Sequence, residues 1–416
     1  MRPQNYLLTL ITFPALLISH PLLAVPLNSS TSSALCDNPI ISLDSLATLP
    51  SLLPIGSSNE VDRKDLELRD RVLRLAASGQ VSQALQVAQT IEKEIWKISA
   101  LRGIAVELAA VGQVSQALQV VQGIKDESGK YWALFDMAVK LAEAGQVEQA
   151  LQVAQAVEKD SWKTDILDDI AVKLVETGQL EQALQLAQTI EDTSSIAVKL
   201  AETGQLEQAL QLAQNIEDAH TKSWALHGIA GKLLEAGEVS QSLQVAQTIK
   251  ACYQKASALL KVAEQYQVAR QTDQVLPILA QSLPIAQAIA FVNWKAQTLA
   301  TIARQYREAG QGDRALPILS DALQSAQALN DANWKAQILT DIAGEYREGG
   351  QRDRALPILS DALQSAQAIE IDFFKASALR EIADEYRKAG QEEQASEILS
   401  QAEELEPRRP TLQRSP

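Results

Sequence analysis

The sequence predicts an all-α protein, a right-handed α-solenoid of about ten stacked helix-turn-helix repeats. One observation is a Gly-Gln turn, once Gly-Glu, that recurs at Gly79, Gly112, Gly145, Gly178, Gly204, Gly237, Gly310, Gly350 and Gly390. Arg270-Gln271 stands where a tenth such turn would fall. A second observation is the apolar pattern flanking each turn, which keeps the i, i+3, i+4, i+7 period of one buried helical face. The third is a set of alanine columns: Ala138 and Ala150 recur as Ala105 and Ala117, Ala303 and Ala315, and Ala343 and Ala355.

Residues 130–157, KYWALFDMAVKLAEAGQVEQALQVAQAV, show the logic of one copy. Leu134, Met137, Ala138 and Leu141 make one apolar stripe; Val147, Ala150, Leu151, Ala154 and Val157 make the next. Gly145 stands where the first helix must stop, in the left-handed conformation that only glycine adopts without steric cost. Two helices joined so tightly must lie antiparallel, yet about thirty residues cannot bury both stripes. Stacked neighbours can, so such units come in arrays. Alanines at fixed points let the helix axes approach closely.

Residues 1–24 read as an export signal: Arg2, then an apolar run broken by Pro14 and Pro21 and ending Leu-Leu-Ala. The two prolines and His20 speak against a stable membrane span, so none is expected once the signal is cleaved after Ala24. The expected location is therefore exported: periplasmic, cell-surface or secreted. Residues 25–60 form a Ser/Pro/Leu-rich linker, of which 40–53 could dock on the first helix as a cap. Cys36 in this linker and Cys252 in a helix are too few for a disulfide framework.

Residues 61–269 carry repeats of the 33-residue type, one of them cut to 26, and residues 270–405 repeats of the 40-residue type. The odd values differ from 33 by seven residues, close to two helical turns, so the buried face rotates only about 20° and survives. Residues 193–203 are expected to have lost two turns from a first helix. The units opening at Asp273, Asp313 and Asp353 are expected to have gained two turns in their second, with each Asp as N-cap and Pro277, Pro317 or Pro357 in the first turn. Pro284 lies mid-helix beside the missing glycine, so the geometry should change near residues 270–290. Residues 406–416 form a basic, proline-rich tail, read as disordered.

Leu339, Ile342, Ala343, Tyr346, Gly350, Ala355, Leu359 and Ala362 together resemble the tetratricopeptide repeat, and the resemblance covers residues 61 to 405. Spacings of 33 or 40, and the lack of a proline closing each unit, depart from that family's pattern. The resemblance implies a concave groove lined by the first helix of each unit. Carried over by position, groove residues would be Arg102, Trp132, Phe135 and Trp224 in an apolar, aromatic N-terminal half. In a charged C-terminal half they would be Arg304, Arg307, Arg347, Arg380 and Arg387. Arg307, Arg347 and Arg387 share one position, a row that could grip carboxylates or phosphates, or pair within the array with Glu308, Glu348 and Asp384.

A second column stands fifteen residues before the turns: Lys97, Lys130, Lys163, Lys222, Lys255, Lys295, Lys335 and Lys375. A cation at a helix N-terminus opposes the macrodipole, so helix stability does not explain it. It is either an edge for an anionic ligand, or a set of aliphatic stems covering neighbours such as Trp162 and Trp294. With a net charge of −15, nucleic acid is not an expected partner. No catalytic motif or cofactor loop is present, and His220 and His227 lack a third metal ligand. The sequence thus points to a non-enzymatic scaffold without cofactor or metal, holding a protein or peptide in its groove. The alternative is a receptor for an anionic polymer or glycan along the lysine edge.

Overall fold

The computed structural model describes residues 60–405, and there the chain forms twenty α-helices in ten helix-turn-helix units. They run α1 (Glu60–Ala77) with α2 (Val81–Gln89), α3 (Glu94–Ala110) with α4 (Val114–Gln122), and α5 (Glu127–Glu143) with α6 (Val147–Gln155). Next come α7 (Asp160–Glu176) with α8 (Leu180–Ala187), α9 (Ser194–Glu202) with α10 (Leu206–Asn215), and α11 (Ala219–Glu235) with α12 (Val239–Thr248). The long units follow: α13 (Cys252–Val268) with α14 (Thr272–Gln287), α15 (Val292–Glu308) with α16 (Gly312–Gln327), and α17 (Ala332–Glu348) with α18 (Arg352–Gln367). The array closes with α19 (Asp372–Lys388) and α20 (Glu392–Glu404). The signal, the linker with its possible cap, and the basic tail lie outside the described residues.

Each turn repeats one device. Gly145 has φ +74, its N–H donates to the Ala142 carbonyl at 3.0 Å, and the Gln146 N–H donates to the Leu141 carbonyl at 2.8 Å. This pair of bonds satisfies carbonyls that the helix end would otherwise orphan. Arg270 makes the same pair, Arg270 N–H to Gln267 and Gln271 N–H to Tyr266, at φ 58 without the licence of glycine. An L side chain in that conformation costs about 1–2 kcal/mol.

The first helix of every unit packs on the first helix of the next, from α1 on α3 through to α17 on α19. Among second helices α4 and α6 meet most closely, and much less than any successive pair of first helices. First helices crowd while second helices splay, which bends the stack and puts the first helices on its inner face. The interior is continuous from Val72 to Ala402, with Met137, Ala138, Leu141 and Ala150 fully buried. The expected length changes are in place: α9 has 9 residues where its equivalents have 17, and α14, α16 and α18 have 16 where α6 has 9.

Two expectations are corrected. The long second helices begin at Thr272, Gly312 and Arg352, each after a glutamine N-cap, so Asp273, Asp313 and Asp353 are the second helical residues and cap nothing. There they still face the positive helix end. Pro277, Pro317 and Pro357 consequently fall in the second turn, inside the helix, where each forfeits a ladder bond. Cys252, at the start of α13, is buried and disulfide-bonded. Cys36, the only other cysteine of the sequence, lies outside the described residues. No helix among the described residues is long and apolar enough to cross a membrane.

Candidate functional site

The inner face divides into three stretches, each built on first helices. In the first, the aromatic period of α5 brings Tyr131, Trp132 and Phe135 together: Trp132 meets Tyr131 edge-on at 5.1 Å and Phe135 at 5.6 Å. Tyr131 reaches Trp162 of α7 at 4.8 Å, so the aromatic ridge crosses from one unit to the next. Arg102 of α3 lies over the Trp132 ring, 5.8 Å from its centroid, and pairs with Asp136. Trp132 nevertheless stays 42% exposed. A ring that size left this open, even with Arg102 over it, is costly apolar surface. Tyr131 was not among the sequence-based candidates; its place beside Trp132 was the available clue.

The second stretch is the notch left by the shortened α9. A cavity of about 380 Å³ opens there between α7, α9 and α11, lined by Asp168, Asp169, Val172, Ser195, Val198 and Trp224. Asp168 accepts a hydrogen bond from the Ser195 hydroxyl, while its other oxygen is buried without a partner. Burial, with Asp169, Asp192 and Asp165 nearby, pushes the Asp168 carboxyl up to about 6. Trp224 is 39% exposed, and its indole N–H donates to His220 Nε2 at 2.8 Å. His227 lies beyond it, 3.2 Å from the Ser257 hydroxyl, and burial with Lys261 close by lowers it to about 4. Among the described residues no group of His, Cys, Asp and Glu is arranged to hold a metal ion.

The third stretch is a cavity of about 510 Å³ on α15, α17 and α19. Arg304 and Arg347 line it as the groove positions implied, but Asp341, Glu345, Glu381 and Glu385 outnumber them. The arginine row is engaged within the array. Arg307 reaches Glu345 at 3.0 Å and Glu348 at 2.7 Å, and Arg347 reaches Glu385 at 3.0 Å. Arg387 stands 3.7 Å from both Asp384 and Glu392. Burial raises the Glu345 carboxyl against the pull of Arg307. Arg380, on α19, is partly buried and outside this lining. The cross-unit partners Glu345 and Glu385 stand two residues before Arg347 and Arg387, a spacing the sequence shows but does not assign.

The lysine column occupies the first turns of the first helices, and Lys97, Lys130, Lys163, Lys222, Lys255, Lys295, Lys335 and Lys375 are all partly buried. Several are engaged locally. Lys130 pairs with Glu127 at 2.8 Å, and Lys255 and Lys335 donate to the Gln247 and Gln327 carbonyls at 2.8 and 2.9 Å. At the opposite end of the same helices runs a ladder that the sequence reading missed. Lys173 bridges Glu143 and Glu176 at 3.5 and 2.8 Å, and Lys199 bridges Glu176 and Glu202 at 2.8 and 3.2 Å. Lys232 continues it at 3.7 Å from Glu202. The ladder passes through the shortened α9 unbroken, because the deletion removed the other end of that helix.

No protein-family description matches this chain, and no curated protein matches it. Among solved structures it is similar to the apo form of the quorum sensor NprR from B. thuringiensis, at 11% identity and a TM-score of 0.36, over 83% of this chain and 99% of that one. A Rap protein complexed with competence and sporulation factor matches at 13% identity and 0.31, over 82% and 97%. A Podosopora anserina kinesin light chain of nearly identical TPR-like repeats matches at 16% and 0.29, over 57% and 92%. At such scores these likenesses say nothing of what this chain binds. On its own geometry the chain is a tetratricopeptide-like helical-repeat array.

Proposed function

We propose that this chain is an exported, non-catalytic scaffold that holds a peptide or helix of another protein on the inner face of its array. The observation that carries the reading is the pair of half-open tryptophans, Trp132 at 42% and Trp224 at 39% exposure, on the face where first helices crowd. Large rigid aromatics beside apolar Val172, Val198 and Phe135 are the anchors that recognition surfaces use. The charged C-terminal cavity then sets orientation, its excess of carboxylates favouring a basic end on the ligand.

The reading has a direct experiment. Peptides selected from a random library against the full chain should be rich in apolar anchors. Their affinity should fall at least ten-fold for Trp132→Ala combined with Trp224→Ala. A library that enriches nothing, or peptides held equally by the double variant, would remove the proposal. Export is tested separately by the N-terminus of protein isolated from its source, expected at residue 25. The alternative of an anionic polymer on the lysine edge is less well supported, since Lys130, Lys255 and Lys335 already hold acceptors.

A further inference from the structure

We propose that, given the scaffold reading above, the notch between α7, α9 and α11 receives one arginine side chain of the bound peptide. Its guanidinium lies between the Trp224 ring and the carboxylates of Asp168 and Asp169. The array contains its own template for such a site. Arg102 of α3 lies over the Trp132 ring, 5.8 Å from its centroid, and pairs with Asp136, one turn on from Trp132 in α5. An indole face and a carboxylate thus hold one guanidinium between them. In the same way Arg69 lies 5.2 Å over Trp96, and Lys159 lies 3.7 Å over Trp162. Trp224 is 39% exposed, and among the described residues no cation covers it.

The carboxylates of the notch lack their cation as well. Asp169 occupies in α7 the repeat position that Asp136 occupies in α5, but Phe135 stands where Arg102 stands one unit earlier. Asp168 accepts from the Ser195 hydroxyl, and neither aspartate forms an ion pair among the described residues. Burial raises both carboxyls, and Asp165 nearby adds to each. Lys173 is the cation that pulls on Asp169, and it already bridges Glu143 and Glu176. Lys199, in the cavity wall, is likewise held by Glu176 and Glu202. Val172 and Val198 supply apolar wall for the aliphatic stem of an arginine. The two turns missing from α9 leave a space of about 380 Å³, which takes a side chain and not a helix. In this part-buried site salt screens the pair only weakly.

The test titrates the full chain with N-acetyl-arginine methylamide and, as its neutral isostere, N-acetyl-citrulline methylamide. The tryptophan indole N–H resonances are followed by NMR, with Trp224 assigned from Trp224→Phe. The expected result is a saturable shift of the Trp224 signal at millimolar arginine derivative. That affinity should fall about ten-fold or more for citrulline, and for Asp168→Asn combined with Asp169→Asn, which keeps the size of both side chains. In a second arm, library-selected peptides should carry an arginine. Its change to citrulline should weaken binding about ten-fold to the parent chain and less than about two-fold to the double aspartate variant. No shift at Trp224, or equal shifts with arginine and citrulline, overturns the proposal. Selected peptides that need Trp132 and Trp224 but no arginine overturn it too, and leave the scaffold reading standing. A library that enriches nothing, with the arginine-specific shift intact, fails the scaffold reading and not the notch.

Discussion

Arg347 on α17 and Glu385 on α19 stand 3.0 Å apart, and one unit earlier Arg307 and Glu345 repeat the contact at 3.0 Å. The Arg347 and Glu385 side chains are 18% and 14% exposed, so water screens them only partly. Each arginine crosses from its own unit to the next. Arg307 and Arg347 are thus rivets between stacked first helices, and the carboxylates they hold line the C-terminal cavity.

Removing one end of a rivet leaves the other desolvated. Arg347→Ala should destabilise the C-terminal units by about 1–3 kcal/mol, read as lost hydrogen-exchange protection in α17 and α19. The double variant Arg347→Ala with Glu385→Gln should recover part of that loss. A double variant as unstable as the sum of both single changes would show that the two side chains do not act as a pair.

The turn at Arg270 predicts a gain. Arg270→Gly relieves a left-handed side chain worth about 1–2 kcal/mol, less the extra freedom glycine brings to the unfolded chain. Denaturant unfolding should show a net stabilisation near 1 kcal/mol. The same change made in reverse, Gly145→Arg, should cost a similar amount. An Arg270→Gly variant no more stable than the parent would mean that the conformation is not strained.

The notch predicts two pH effects of opposite sign. Asp168 titrates near 6 in the folded chain against 3.8 ordinarily, so the fold binds more protons there than the unfolded chain, and stability falls as pH rises from about 4 to 6. His227, lowered from 6.5 to about 4, makes the fold bind fewer protons, and its contribution is lost as pH falls through that window. Asp168→Asn, whose side-chain carbonyl can still accept from Ser195, should therefore stabilise at pH 7 and do little at pH 4. His227→Gln should flatten the acid side of the stability profile. Profiles unchanged by either substitution would contradict the two shifts.

The sequence carried the architecture well because each element is decided locally. A glycine after the last apolar residue stops a helix, and seven-residue changes preserve the buried face, so the short α9 and the long α14, α16 and α18 could be placed in advance. The helix starts were harder. The glutamine after each turn takes the cap position, so each long helix starts two residues earlier than it would behind a capping Asp, and this moved Pro317 and Pro357 into the second turn. The site was legible as a list and not as an arrangement. Trp132 and Trp224 stay open, while Phe135 is partly buried against the core. The partners of Arg307 lie 38 and 41 residues ahead on another helix, and choosing among nearby carboxylates depends on stacking geometry that no period in the sequence encodes.

The salt dependence of peptide binding tests the central claim most directly. A library-selected peptide would be titrated against the full chain at low salt and at about ten-fold higher salt, where exposed charges more than a few ångströms apart are screened. Anchoring on Trp132 and Trp224 predicts an affinity that moves less than three-fold with salt and drops at least ten-fold in the double tryptophan variant. An affinity that collapses with salt and ignores the tryptophans, while falling for Lys97→Ala with Lys163→Ala, would move the binding surface to the lysine edge and contradict the account.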